Sequence, residues 1–208
     1  HSTLNYKDGM VVKGIGRLVR NYPHVPGIDF SGTVEASTSN DYAVGDKVIL
    51  TGWRVGEAHW GGYAERARVK SDWLVHLPKS LTEQRAMAIG TAGFTAMLAV
   101  KALEEHGLTP NNGPVLVTGA NGGVGGVAVA ILGAAGYEVH ASTGRPELEG
   151  HLKSIGAREI ILRKELDILP ERPLASERWA GAIDAVGGKT LSSILPQIKI
   201  RGAVAACG

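Results

Sequence analysis

TGANGGVGG, Thr118 to Gly126, is the stretch that decides the fold. An apolar run, Val115-Leu-Val-Thr, precedes it, and a Val/Ala-rich run, Val124 to Gly136, follows it. That order reads as strand, glycine turn, helix. Such a turn brings backbone N–H groups and a helix N-terminus against a diphosphate. Gly119 suits the sharp turn, and Gly122 and Gly123 let the backbone approach a ligand with no Cβ in the way. Gly125 and Gly126 let the helix pack close to the strand. The spacing is not a strict G-x-G-x-x-G, so the weight rests on context, and a second strand–helix unit does follow. Asn121, Gly122, Gly123 and Val124 are therefore candidate cofactor-binding residues.

The second unit is GYEVHASTGRPE, Gly136 to Glu147. A strand over Glu138 to Ser142 ends in Ser-Thr-Gly-Arg. An acidic residue is expected there, roughly 20 residues beyond the glycine turn, when the ligand is NAD with a free ribose 2′-hydroxyl. Ser142, Thr143, Gly144 and Arg145 stand there instead. A carboxylate repels a 2′-phosphate, whereas an arginine beside hydroxyls holds one through charge-assisted hydrogen bonds. The residues favour NADP(H). Arg163, at the end of the next strand, is a second candidate cation.

Outward from this core, the chain has two textures. Residues 1 to about 80 carry short β-rich runs, namely 32–36, 46–50 and 63–69, punctuated by Gly, Pro and Asp. Ser80, with Glu83 at capping-box spacing, predicts a helix start. The apolar run 86–100 then predicts buried helical material, broken at Gly90 to Gly93. From about residue 113 strands and helices alternate: a helix over Pro146 to Ile155, and strands at Glu159 to Leu162, Ala182 to Val186 and Ala203 to Cys207. Alternation with compact apolar strands means a parallel sheet covered on both faces. The expectation is an α/β chain of two domains, a β-rich domain over 1–86 and a nucleotide-binding domain over 87–208.

Composition bounds the rest. The chain has 208 residues, 44% of them hydrophobic, and a formal net charge of +2, too near balance to suggest a nucleic-acid partner. The single cysteine, Cys207, excludes an internal disulfide and a four-cysteine zinc site. No run reads as a membrane span or a signal peptide, so a cytoplasmic protein is expected. The chain starts at His1 without a methionine and stops directly after a strand-like run. It reads as an internal portion of a longer protein, truncated at both ends.

Six stretches together resemble one family: NYKDGM (Asn5 to Met10), VPGIDFSGTV (Val25 to Val34), LTGWRVGEAHWGGYAE (Leu50 to Glu65), IGTAGFTAM (Ile89 to Met97), VTGANGGVGG and AIDAVGGK (Ala182 to Lys189). They are similar to the acrylyl-CoA reductase branch, often labelled quinone oxidoreductase, of the zinc-independent medium-chain dehydrogenase/reductase superfamily. The resemblance implies a GroES-like catalytic domain followed by a doubly wound Rossmann sheet. It implies NADPH-dependent reduction of the C=C bond of acryloyl-CoA, or a related small enoyl thioester, to the propanoyl thioester. It also implies a homo-oligomer, commonly a dimer. Zinc-dependent relatives carry Gly-His-Glu where this chain has Gly27-Ile28-Asp29, and isoleucine cannot bind zinc, so no metal site is expected.

The resemblance places Asn5-Tyr6-Lys7-Asp8 at the catalytic cleft, with Tyr6 donating a hydrogen bond or closing over the nicotinamide, and Asn5 and Asp8 orienting it. Thr91 and Phe94 are expected to line the nicotinamide side. Cys207 is expected near its carboxamide, as a small buried residue. Lys13, Arg17 and Arg20 are candidate contacts for the phosphates of coenzyme A. Two alternatives stay open: an NADPH:quinone oxidoreductase, and a non-catalytic NADPH-binding sensor or structural protein in which Tyr6, Trp53 and Trp60 merely pack.

Overall fold

The computed structural model describes residues 1–168 and 176–208. Two compact units divide the chain, His1–Thr91 and Ala92–Gly208.

The first unit begins with a short helix, α1 (Tyr6–Val12). Three antiparallel strands follow, β1 (Asp29–Thr33), β2 (Lys47–Thr51) and β3 (Leu74–His76), in the order β1-β2-β3. The predicted run at 63–69 forms no strand. The amides just before it are already spent: Gly61 N–H bonds Val25 O, Gly62 N–H bonds Gly27 O and Tyr63 N–H bonds Pro26 O. This crossing of two backbones explains the glycines around it. A Cβ on Gly61 would stand 2.5 Å from the Pro26 carbonyl carbon, and one on Gly56 would stand 2.8 Å from that of Gly27. Gly27 itself has φ +105°, and a Cβ there would meet Tyr63 N at 2.7 Å.

A long helix, α2 (Glu83–Glu105), leads out of this unit. Its cap is not Ser80. Thr82 Oγ1 accepts the Arg85 N–H at 3.2 Å, and Ser80 lies in the preceding turn. The predicted break falls at Gly90, with φ 50° and ψ −162°. In length and apolarity α2 matches a membrane span, with mean hydropathy 1.5, against the sequence expectation that no run approaches one. The break divides it, though, and the 91–105 piece, at 1.5 Å per residue, falls short of a ~30 Å hydrocarbon layer. Ala96, Ala99, Val100 and Leu103 of that piece are buried in the core of the second unit.

The second unit is the predicted parallel sheet. Its strands are β4 (Val115–Val117), β5 (Val139–Thr143), β6 (Ala157–Leu162), β7 (Trp179–Asp184) and β8 (Ile198–Ala206), in the order β6-β5-β4-β7-β8. All four neighbouring pairs are parallel. Starting with β4 at the centre and reversing direction across it is the doubly wound arrangement. The helices are α3 (Gly123–Ala134), α4 (Glu149–Ser154), α5 (Arg163–Leu166) and α6 (Gly188–Ile194). The Pro146 run opens as a 3₁₀ turn, Pro146–Leu148, before α4. On α3 the buried residues Gly125, Ala128, Val129 and Leu132 follow helical spacing. At the far end of α3 the packing is close as well, where a Cβ on Gly133 would sit 2.8 Å from Gly156 Cα.

Two substitutions test this packing. Gly61→Ala is expected to destabilise by about 2 kcal/mol or more through overpacking. Gly9→Ala, on α1 with nothing within 4 Å of a new Cβ, is expected to stabilise by up to ~1 kcal/mol. Thermal melts followed by circular dichroism read both. Equal melting temperatures would contradict the backbone-crossing account.

Candidate active site and nucleotide cradle

In the second unit the glycine turn is built around a buried carboxylate. Asp184, fully buried at the end of β7, accepts a bond from Thr118 Oγ1 at 2.6 Å on one oxygen and from Gly187 N–H at 2.8 Å on the other. Ala185 N–H in turn donates to Thr118 Oγ1 at 3.1 Å. The ends of β4 and β7 are thereby locked together. A charged residue inside the otherwise apolar run Ala182-Ile-Asp-Ala-Val is the sequence signal for this role, and it was not read as a site.

The turn itself follows the expected glycine chemistry. Gly119 has φ +60°. Gly122 precedes the first turn of α3, and Gly123 and Val124 form it. Gly125 packs against the turn rather than the strand: a Cβ there would lie 2.7 Å from the Gly119 carbonyl carbon. Ala120 N–H reaches across to Ser142 O at 3.0 Å, joining the turn to the end of β5.

Asn121 stands where these pieces meet. Its Oδ1 accepts the Thr143 hydroxyl, and its main-chain oxygen accepts Arg145 Nη2 at 3.1 Å. Its Nδ2 is buried and has no partner among the described residues. Thr143 Oγ1 also accepts Arg145 N–H at 2.9 Å. Ser142 and Thr143 are both nearly inaccessible, so the Thr143 hydroxyl serves the turn, while Gly144 and Arg145 are what the turn presents to solvent. Arg163 opens α5 rather than closing β6, with Nε 3.9 Å from Asp167 and its stem against the Gly144 backbone. A cavity of about 430 Å³ opens beside it, lined by Asp167 and by Val186 to Thr190.

Cys207 is exposed, not buried as expected; it lies past the end of β8. Its thiol faces Asp184 O at 3.4 Å. Desolvation first, and the Asp184 charge second, push its pKa up, so it is a poor nucleophile.

In the first unit the NYKD stretch is held by two fully buried carboxylates. Asp8 Oδ1 accepts the Gly27 and Ile28 N–H groups at 3.2 and 3.0 Å. Its Oδ2 accepts Asn5 N–H at 2.9 Å and Asn5 Nδ2 at 3.2 Å. Asp29 accepts the Thr3 hydroxyl and Asn5 Nδ2 on Oδ1, and Thr91 N–H at 2.6 Å on Oδ2. Gly90 is required here, since a Cβ would stand 2.7 Å from Thr3 Cγ2. Asn5 and Asp8 therefore orient the start of α1 from beneath. Tyr6, its first residue, is 88% exposed, with no hydrogen bond to its hydroxyl among the described residues. Lys13, Arg17 and Arg20 are exposed too, and Arg17 has a left-handed backbone; Phe94 is half exposed. Among the described residues no three His, Cys, Asp or Glu side chains converge as a metal site requires.

Tyr63 completes the first-unit cluster. Its hydroxyl donates to Thr3 O at 2.9 Å. Burial, and then the Asp8 charge, push its pKa from an ordinary 10.0 up to about 12. The unfolded chain thus loses this proton first. The contribution is whole below pH ~10 and is lost as pH rises to about 12. Tyr63→Phe is expected to cost about 1 kcal/mol at neutral pH and to flatten the stability loss across that alkaline window. Denaturant melts at stepped pH check it, and an unchanged alkaline slope would count against the assignment.

Comparison with known proteins agrees with both units. The alcohol dehydrogenase GroES-like domain matches residues 1–79. The acrylyl-CoA reductase AcuI of Ruegeria pomeroyi is 62% identical over 208 residues, covering 100% of this chain and 63% of the relative. The crystal structure of the yhdH oxidoreductase of Salmonella enterica in complex with NADP superposes with a TM-score of 0.96 at 56% identity, over 100% of this chain and 63% of that one. The Bacillus subtilis protein yhfP, solved with NAD bound, gives 0.94 at 48% identity, over 100% and 63%. A more distant relative, the quinone oxidoreductase of Sus scrofa, is 31% identical over 169 residues, 80% of this chain and 49% of the relative. The chain spans 63% of the length of its most similar relatives.

Proposed function

The chain belongs to the acrylyl-CoA reductase branch of the medium-chain dehydrogenase/reductase superfamily, and from that premise we propose that the protein reduces acryloyl-CoA to propanoyl-CoA with NADPH. The observation that carries the reading is the 62% identity, over the full length of this chain, to a relative named for that activity. The resemblance also supports a cytoplasmic homodimer.

The residues present fit NADPH. The buried, unpartnered Asn121 Nδ2 is a donor waiting for an acceptor. The left-handed Gly119 and the Cβ-free Gly122 and Gly123 keep side chains off the turn and the start of α3, where a diphosphate would lie. Arg145, held by its own bond to Asn121 O, offers a guanidinium to a 2′-phosphate, with Arg163 beside Gly144 as a second cation. No carboxylate stands at the end of β5 to favour a bare 2′-hydroxyl. Thr91 and Cys207 extend the cofactor set on the resemblance.

When bound, NADPH supplies a hydride to the β-carbon of the unsaturated thioester. The protein's part is to align the substrate and to stabilise charge on the thioester oxygen. Tyr6 is the group for this: its hydroxyl is free to donate a hydrogen bond to that oxygen, while Asn5 and Asp8 fix the helix start that carries it. The resulting enolate takes a proton at the α-carbon from solvent, so no dedicated acid is required.

The test follows NADPH oxidation with acryloyl-CoA and, in parallel, with a simple quinone. Faster turnover of the thioester supports the reading, and faster turnover of the quinone replaces it with the alternative. Arg145→Ala is expected to raise KM for NADPH about 10- to 100-fold and to leave that for NADH within twofold. Equal rises for both cofactors would remove Arg145 from 2′-phosphate recognition.

A further inference from the structure

The loop between β2 and the Gly61-Gly62 crossing is shaped in a way that the reaction chemistry does not use. Gly52, Trp53 and Arg54 all have left-handed backbones, with φ 81°, 55° and 58°. Side-chain-bearing residues rarely adopt that conformation, and two in succession need strong support. The support is visible. Val55 is fully buried, and its N–H bonds Gly52 O at 3.1 Å. The Arg54 carbonyl accepts three amides, from Glu57, Ala58 and His59, and Gly56 N–H closes onto His59 O at 2.8 Å.

What this support displays is aromatic surface. Trp53 is 56% exposed and Trp60 is 64% exposed. Trp53 lies nearly parallel to Trp73, with ring centroids 6.0 Å apart and planes 13° apart. His59 packs on Trp73 at 4.7 Å, and Lys70 Nζ sits 5.4 Å from the same ring. The platform is thus backed on one side and open on the other. Lys70 lies against Trp73, and the exposed Arg54 follows Trp53 in the chain. Of the nearby carboxylates, Glu57 is neutralised by Lys7 at 2.9 Å, and Asp72 holds to its neighbour Ser71. The Lys7–Glu57 pair also ties the loop to α1, beside Tyr6.

A rigid, supported indole with cations beside it suits a flat base that carries phosphates. Coenzyme A thioesters bring an adenine with a 3′-phosphate and a diphosphate. We infer that Trp53, backed by Trp73 and followed by the exposed Arg54, is the stacking platform for the adenine nucleotide end of the thioester substrate. The inference rests on the proposed thioester activity for its ligand, and on the loop alone for its site.

Binding is read by quenching of tryptophan fluorescence, with free coenzyme A, adenosine 3′,5′-bisphosphate and pantetheine as probes, on the unmodified protein and on Trp53→Asn and Trp53→Phe. Asparagine tolerates the left-handed backbone, so the loop keeps its path. Coenzyme A and the bisphosphate are expected to quench and pantetheine not to. The affinity for coenzyme A should fall about tenfold in Trp53→Asn and recover in part in Trp53→Phe. The KM advantage of acryloyl-CoA over acryloyl-pantetheine should shrink by the same factor in Trp53→Asn. Absence of quenching by coenzyme A overturns the inference, even in a protein that reduces acryloyl-CoA. So does an equal loss for coenzyme A and pantetheine, or a change of oligomeric state in Trp53→Asn, which would make the surface a protein contact. Quenching without thioester turnover supports the platform and overturns the proposed activity instead.

Discussion

Both units depend on places where backbone passes backbone with no room for a Cβ. In the first, Gly61 presses on the Pro26-Gly27 peptide and Gly56 on the Gly27-Ile28 peptide; in the second, Gly125 presses on Gly119 and Gly133 on Gly156. Dense packing makes such contacts intolerant of even one methyl group. Each crossing also fixes a loop that carries chemistry. The Pro26–Gly61 crossing sets the path of the tryptophan loop and of the Gly27-Ile28 amides that hold Asp8. The Gly119–Gly125 contact sets the glycine turn proposed to cradle a diphosphate.

Buried carboxylates do the second part of the work. Asp8, Asp29 and Asp184 are all fully buried, and each accepts at least two hydrogen bonds, one or more of them from groups far away in sequence. An unpaired buried carboxylate would be strongly destabilising, so each one commits its donors to a single arrangement. The result is a division of labour. Buried acids position, while the side chains left exposed, Tyr6, Trp53 and Arg145, are the ones free to meet a ligand.

Much of this was legible in sequence because it follows local rules. The glycine turn, the alternation of strand and helix, the break at Gly90 and the absence of an acid after β5 all show as residue types at fixed spacing. What was missed depends on distant partners. Residues 63–69 carry a strand-like composition, but the amides leading into them are taken by 25–27. The three-residue β3 is too short to announce itself. Ser80 has the capping-box spacing on paper, yet it is spent in the turn after Pro78, and Thr82 caps the helix. Cys207 reads as a buried strand residue, yet β8 ends before it. Asp184 was visible as a charge in an apolar strand, yet its partner Thr118 lies 66 residues away.

The central claim is that a hydride passes from NADPH to the β-carbon of an unsaturated thioester while the α-carbon takes its proton from solvent. The most direct measurement is to run the reaction with NADPH deuterated at the transferring position of nicotinamide C4, and to locate the label in the product by NMR. The account predicts one deuterium on the β-carbon of propanoyl-CoA, none on the α-carbon, and the reverse pattern when ordinary NADPH is used in deuterated water. Label on the α-carbon, or a product with no label from the cofactor, would contradict it.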